Sequence, residues 1–143
     1  MYGTIVQMVK QKVFVVDTSV LIAVIANEPI KARLIEQTRG AELVAPHSVH
    51  WEIGNAFSAM MKQRRLRLAD AVKALELYAA IPVRFVDVDL ADALRLSAEL
   101  DIYAYDAYVI NCALSHRAPM LTLDHKLLKA ARTAGVDALE IGL

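Results

Sequence analysis

The sequence predicts a single α/β domain, a three-layer α/β/α sandwich around a central parallel sheet. Two observations predict it. Short runs rich in β-branched residues alternate with longer stretches of helical period. The short runs are continuously apolar instead of alternating, as strands covered on both faces are. The 143 residues fit one domain, enough chain to bury about two-thirds of its unfolded surface.

Taken in order, "VFVVD" at 13–17 reads as the first strand, followed by a helix from Val20 and another from Ile30 that Pro29 opens and Gly40 closes. "ELVAP" at 42–46 is the second strand, leading to an amphipathic helix over 48–62 and a further helix over 69–80. "VRFVDV" at 83–88 is a strand, and "DLADALRLSAEL" at 89–100 a helix with Asp89 as cap and Asp92 as its reciprocal acid. The tail reads as a helix at 106–116, a strand at 120–123, a helix at 125–134 and a last strand at 139–141. Residues 1–12 form an N-terminal extension and 13–143 the domain.

Composition narrows the classes. A hydrophobic content of 57% and a mean hydropathy of +0.38 call for an extensive core and an apolar face kept for a partner. The longest apolar runs, such as "VLIAVIA" at 20–26, fall short of the roughly 18 residues that cross a bilayer. The first residues lack the basic start, apolar block and cleavage site of a secretory signal. With a single cysteine, Cys112, no internal disulfide is possible, and the expected location is the cytoplasm. Sixteen basic and sixteen acidic residues cancel, so any polyanion must be held by a local patch instead of a global field.

Four acids stand where a bland reading is strained. Asp17 and Asp124 end the strands "FVVD" and "MLTLD", and ligands of open α/β sheets sit beyond the carboxyl ends of strands. Glu52 borders the apolar stripe Val49, Ile53, Ala56, Phe57, Met60, and Asp106 shares a face with Val109, Ile110 and Ala113. Taken singly, each has an ordinary role: helix caps for Asp17, Asp106 and Asp124, and a first-turn acid for Glu52. Taken together, they project toward one end of the sheet. Two carboxylates about 4 Å apart repel by roughly 4 kcal/mol at an effective dielectric near 20, so four converging acids call for a divalent cation. All-oxygen donors favour magnesium or manganese over zinc. The hydroxyls of Ser19 and Thr122 suit hydrogen bonds to the carboxylates or to water around the ion.

With these residues assembled, the chain resembles a PIN domain, specifically the small VapC-type toxins of bacteria and archaea. The segments that carry the resemblance are "VVDTSVLI" at 15–22, "WEIGNAF" at 51–57, "YDAYVINCA" at 105–113 and "MLTLDHKL" at 120–127, in that order. The extension before the first strand departs from the compact pattern. The resemblance implies a metal-dependent endoribonuclease with Asp17, Glu52, Asp106 and Asp124 as its catalytic and metal-binding set. It implies one or two Mg²⁺ or Mn²⁺ ions that lower the pKa of the attacking water. It also implies adjacent first and fourth strands, a homodimer and a cognate VapB-like antitoxin. The alternative is a catalytically idle PIN-fold module that binds protein or RNA.

Other signals weigh less. "KQRRLR" at 62–67 is the densest basic stretch, and Lys62, Arg64, Arg65 and Arg67 are candidates for RNA phosphates or, equally, a solvated helix end. His47 and His50 flank Glu52 without forming H-E-x-x-H. Cys112 and His116 are one helical turn apart, but burial is the expected fate of the thiol. Tyr103, Tyr105 and Tyr108 beside Asp106 could stack on bases, although a loop-to-helix junction favours packing. The acids Asp87, Asp89 and Asp92 lack the glycine and glutamate of a calcium loop. A dehalogenase-like phosphatase would carry a second Asp where this chain has Ser19, and Asp87 is a poor phospho-acceptor.

Overall fold

The computed structural model describes residues 11–142; the extension assigned to residues 1–12 therefore lies outside the described residues up to residue 10. Five strands form one parallel sheet: β1 (Val13–Val16), β2 (Glu42–Pro46), β3 (Val83–Val86), β4 (Met120–Leu121) and β5 (Ala138–Leu139). Their order is β3-β2-β1-β4-β5. Val15 of β1 pairs with Val44 on one side and Met120 on the other, so the first and fourth strands are neighbours.

Seven helices connect the strands: α1 (Thr18–Ile25), α2 (Lys31–Thr38), α3 (Ser48–Lys62), α4 (Leu68–Ala80), α5 (Leu90–Leu100), α6 (Ala104–His116) and α7 (His125–Thr133). Successive strands step outward from β1 through β2 to β3, then cross back to β4 and β5. Right-handed crossovers therefore place α1–α4 on one face and α5–α7 on the other. In agreement, α1 packs on α2, α3 and α4, while α6 packs on α5, β1 and β2. Phe14, Val15, Val16, Val44 and Leu121 lie wholly inside, which is why these segments carry no alternating polar residues.

Several boundaries differ from the sequence reading for local reasons. Helix α1 opens at Thr18 because Asp17 Oδ1 accepts from the Val20 amide at 3.2 Å. Strand β4 stops at Leu121 because Thr122 Oγ1 accepts from the Asp124 amide at 3.0 Å, bending the chain out of the ladder. Strand β3 ends at Val86 and β5 spans 138–139. Asp89 caps α5 by accepting from the Asp92 amide at 2.9 Å. Asp92 does not reciprocate, because its carboxylate instead takes Nη1–H of Arg95 at 2.6 Å.

The topology fixes where a ligand can sit. Chain leaves β1 toward one face and β4 toward the other, so the crevice beyond their carboxyl ends is the topological switch point of the sheet.

Candidate active site

Asp17 follows β1 directly, and Asp124 lies three residues beyond the end of β4. Both stand at the switch point. Glu52 comes in from α3 on one face of the sheet and Asp106 from α6 on the other.

Asp17 is only 5% exposed, and a buried carboxylate needs donors. Three are supplied. Ser19 Oγ donates to Oδ1 at 2.7 Å, the Val20 amide donates to the same oxygen, and the Thr122 hydroxyl donates to Oδ2. Ser19 Oγ and Thr122 Oγ1 are 3.4 Å apart. Each hydroxyl has one hydrogen, already given to Asp17, so that contact is two oxygens side by side. Both also accept: Ser19 Oγ from the Leu123 amide at 2.9 Å and Thr122 Oγ1 from the Asp124 amide at 3.0 Å. The pair of hydroxyls thereby stitches the end of β1 to the end of β4. Burial raises the proton affinity of Asp17, the three donors oppose that rise, and the Asp124 charge adds to it.

Asp124 is exposed and caps α7, accepting at Oδ1 from the amides of Lys126 at 2.9 Å and Leu127 at 3.2 Å. Both strand-end acids therefore cap the helices that follow them. Neither helix acid is a cap, although Asp106 stands in the first turn of α6. Asp106 is not the N-cap of α6, because that helix starts at Ala104 after Tyr103, with no capping side chain. Glu52 sits beyond the first turn of α3, which contains no acid.

Glu52 Oε1 is buried and has no hydrogen-bond partner, and the same holds for Thr18 Oγ1. Burial pushes the Glu52 carboxyl up to about 7, and the charges of Asp17 and Asp106 add to the rise. Asp106 is likewise raised, by burial first and then by Asp124, with Lys126 opposing. The four acids are thus linked in a closed circuit of repulsion: 17 with 124, 124 with 106, 106 with 52 and 52 with 17.

The expected tight cluster is looser than the sequence reading foresaw. Among the described residues, no three His, Cys, Asp or Glu side chains stand as a ready metal-holding group. Hydrogen bonds explain the spacing: both oxygens of Asp17 are turned to Ser19, Thr122 and Val20, and one oxygen of Asp124 to the start of α7. A divalent hard cation nevertheless fits the donor chemistry, since all four side chains offer only oxygen and one of those oxygens, Glu52 Oε1, is buried without a partner.

The basic stretch lies elsewhere. Lys62 is ten residues beyond Glu52 on α3, roughly 15 Å along the axis at about 1.5 Å per residue. Arg64, with φ 57°, turns the chain there. Arg65 donates to Gln63 at 3.2 Å and Arg67 pairs with Asp70 at 3.1 Å, and all four cations are exposed.

Sequence reasoning missed Lys126, whose only signal was its place two residues after Asp124. It lines a cleft of about 340 Å³ together with Asp106 and Tyr103. It also undervalued the aromatics. Tyr103 and Tyr105 are 86% and 57% exposed and do not serve as packing residues. Cys112 is buried, as expected, and its thiol is pushed up to about 12 by that burial. His116 spends Nδ1 on the Cys112 carbonyl at 2.9 Å.

The PIN domain family model matches residues 14–133, and the chain belongs to that family. Its fold recurs in PAE2754 from Pyrobaculum aerophilum, at 22% identity over 92% of both chains with a TM-score of 0.71. It recurs in VapBC2 from Rickettsia felis, solved bound to a DNA fragment from their promoter, at 14% identity over 89% of this chain and 97% of that one, TM-score 0.63. The Mycobacterium tuberculosis toxin VapC20, described as cleaving the sarcin-ricin loop, matches at 17% identity over 86% and 95% of the respective chains, TM-score 0.59. No curated protein matches the sequence. No helix among the described residues is long and apolar enough to cross a membrane.

Proposed function

We propose that this chain is a divalent-metal-dependent endoribonuclease and the toxin of a VapBC-type pair, hydrolysing RNA phosphodiesters at the switch point between β1 and β4. The observation that carries the reading is the placement of Asp17, Glu52, Asp106 and Asp124 around one switch point, with Asp17 buried and Glu52 Oε1 buried without a partner, so that their charges form a circuit of repulsion. Such a circuit costs stability unless positive charge enters it. Asp17, Glu52, Asp106 and Asp124 would hold one or two Mg²⁺ or Mn²⁺ ions. When bound, the ion supplies a more acidic water and neutralises charge at the reacting phosphate.

The chain's own groups have separable tasks. Ser19 and Thr122 oppose the rise in proton affinity that burial imposes on Asp17 and fix its plane through two hydroxyl donors. Asp124 is anchored through Oδ1. Glu52, its carboxyl pushed up to about 7, would have to lose its proton to hold a cation, so cation affinity would depend on pH. Lys126 sets a positive charge beside Asp106, where a phosphate oxygen would otherwise meet only acids. The exposed cations Lys62, Arg64, Arg65 and Arg67 would meet phosphates farther along a strand that extends from the acids. A VapB-like antitoxin completes the reading by analogy with the toxin–antitoxin structures that share the fold, and a homodimer and a cytoplasmic location are carried over from the sequence reading.

One observation favours a second reading, a PIN-fold module that docks RNA or protein without turnover: among the described residues, no three acids are drawn into a closed metal group. Cleavage separates the two. Purified protein is incubated with structured RNA in Mn²⁺, in Mg²⁺ and in EDTA, beside Asp17→Asn and Asp106→Asn. The nuclease reading expects metal-dependent cleavage with 5′-phosphate ends. It expects each variant to lose more than the roughly 10–100-fold typical of an outer partner of a metal site. Equal cleavage by the variants means a contaminating nuclease and leaves the idle module standing.

A further inference from the structure

One helix on each face places an aromatic residue immediately before an acid: Trp51 before Glu52 on α3 and Tyr105 before Asp106 on α6. Consecutive helical residues are about 100° apart, so each ring stands beside its carboxylate and not behind it. Trp51 is 70% exposed, and it lines with Tyr105 one open cleft of about 420 Å³, within the roughly 300–1,000 Å³ of small-molecule sites.

The rings are not loose. Trp51 meets His50 edge to face at 4.9 Å between centroids, and His50 in turn bonds Tyr78 Oη at 3.1 Å. Tyr105 meets Tyr108 edge to face at 6.0 Å. Each exposed ring is therefore propped by a neighbour on its own helix, which lowers the ordering cost of stacking a third ring on it. The rim is polar: His47 Nε2 pairs with the fully exposed Asp87 at 3.3 Å. Ser48, also lining the cleft, has a buried hydroxyl with no partner. A planar group with an apolar face and a hydrogen-bonding edge matches this lining better than an aliphatic side chain does.

We propose that this cleft is a base-stacking subsite, in which Trp51 and Tyr105 take an unpaired nucleobase of the RNA whose phosphate lies over the acids, with His47 and Asp87 meeting the base edge. The inference rests on the nuclease reading and adds a residue-level origin for substrate preference. Stacking is tolerant of sequence, whereas the polar rim is not.

Trp51 is the single tryptophan of the chain, so its fluorescence reports the subsite alone. The full chain in EDTA is titrated with a randomised-sequence single-stranded RNA pool and with an abasic oligomer of equal length, while anisotropy of a label on the nucleic acid follows binding. The expected result is quenching of Trp51 by RNA and not by the abasic oligomer. Tyr105→Ala and Trp51→Ala are each expected to weaken binding about ten-fold, the loss of a stacked base, with Trp51→Tyr retaining the affinity. RNA that binds by anisotropy and leaves Trp51 unquenched overturns the subsite while the nuclease reading stands. Absence of both binding and cleavage removes the two together. A blue shift of Trp51 that grows with protein concentration without RNA assigns the cleft to a second copy and overturns the proposal.

Discussion

Thr122 donates its hydroxyl hydrogen to Oδ2 of Asp17 across 105 residues of sequence, and the same oxygen of Thr122 accepts the amide of Asp124. One side chain thereby orients both strand-end acids. Thr122→Val keeps the shape and removes both bonds. A buried carboxylate that loses a donor costs about 1.5–3 kcal/mol, so the urea midpoint is expected to fall accordingly, with cleavage falling further than stability accounts for. An unchanged midpoint would show that the bond contributes nothing.

The pH dependence of the metal-free protein has a definite sign. The Glu52 carboxyl is raised from 4.5 to about 7, so between those values the folded state binds more protons than the unfolded state. Stability is then fully present below the unfolded pKa and is lost as pH rises through the folded one. Asp17 and Asp106 are shifted in the same direction. The melting temperature in EDTA is expected to fall as pH rises from 5 to 8, and Glu52→Gln to flatten that slope. A parallel slope in the variant would remove Glu52 from the ring.

How much of this was legible depends on what each signal reports. Continuous apolar runs locate β2 to the residue and β1 to within one, the strand reading at 13–17 losing Asp17 to the cap of α1. The end of β4 was not legible, since it is set by a side chain, Thr122, bonding an acid from the other end of the sequence. Strand adjacency was likewise invisible to periodicity and came only from the resemblance. The acids were legible as misfits on apolar segments, but their separation was not, because the hydroxyls and amides that hold Asp17 and Asp124 act through space. Exposure of Tyr105 and Trp51 ran against the usual fate of aromatics, and no pattern in the chain announces it.

Cys112 is expected to be inert in the folded protein. It is buried, its thiol is pushed up to about 12, and only the thiolate is nucleophilic. A disulfide dye should titrate one thiol in denaturant and none on the same timescale without it. Rapid labelling of the native state would mean that α6 opens readily.

The basic stretch gives a salt signature. If Lys62, Arg64 and Arg65 touch phosphates, replacing each with Gln weakens RNA binding about equally across sequences and lowers the slope of log affinity against log salt by roughly 1. Arg67 is expected to matter less, being engaged with Asp70. Unchanged slopes would leave this helix end as solvated surface.

The most direct measurement is the stability of the wild type, Glu52→Gln and Asp106→Asn in EDTA and in saturating Mn²⁺. Asp106 caps nothing, and Glu52 Oε1 has no hydrogen-bond partner, so neutralising either acid relieves repulsion without losing a cap. In EDTA both variants are expected to be at least as stable as the wild type. In Mn²⁺ the order reverses, the wild type gaining about 2.7 kcal/mol at a hundred-fold excess over Kd and the variants little. Variants that are less stable in EDTA, or that gain as much as the wild type from Mn²⁺, would contradict a shared cation site built from these four carboxylates.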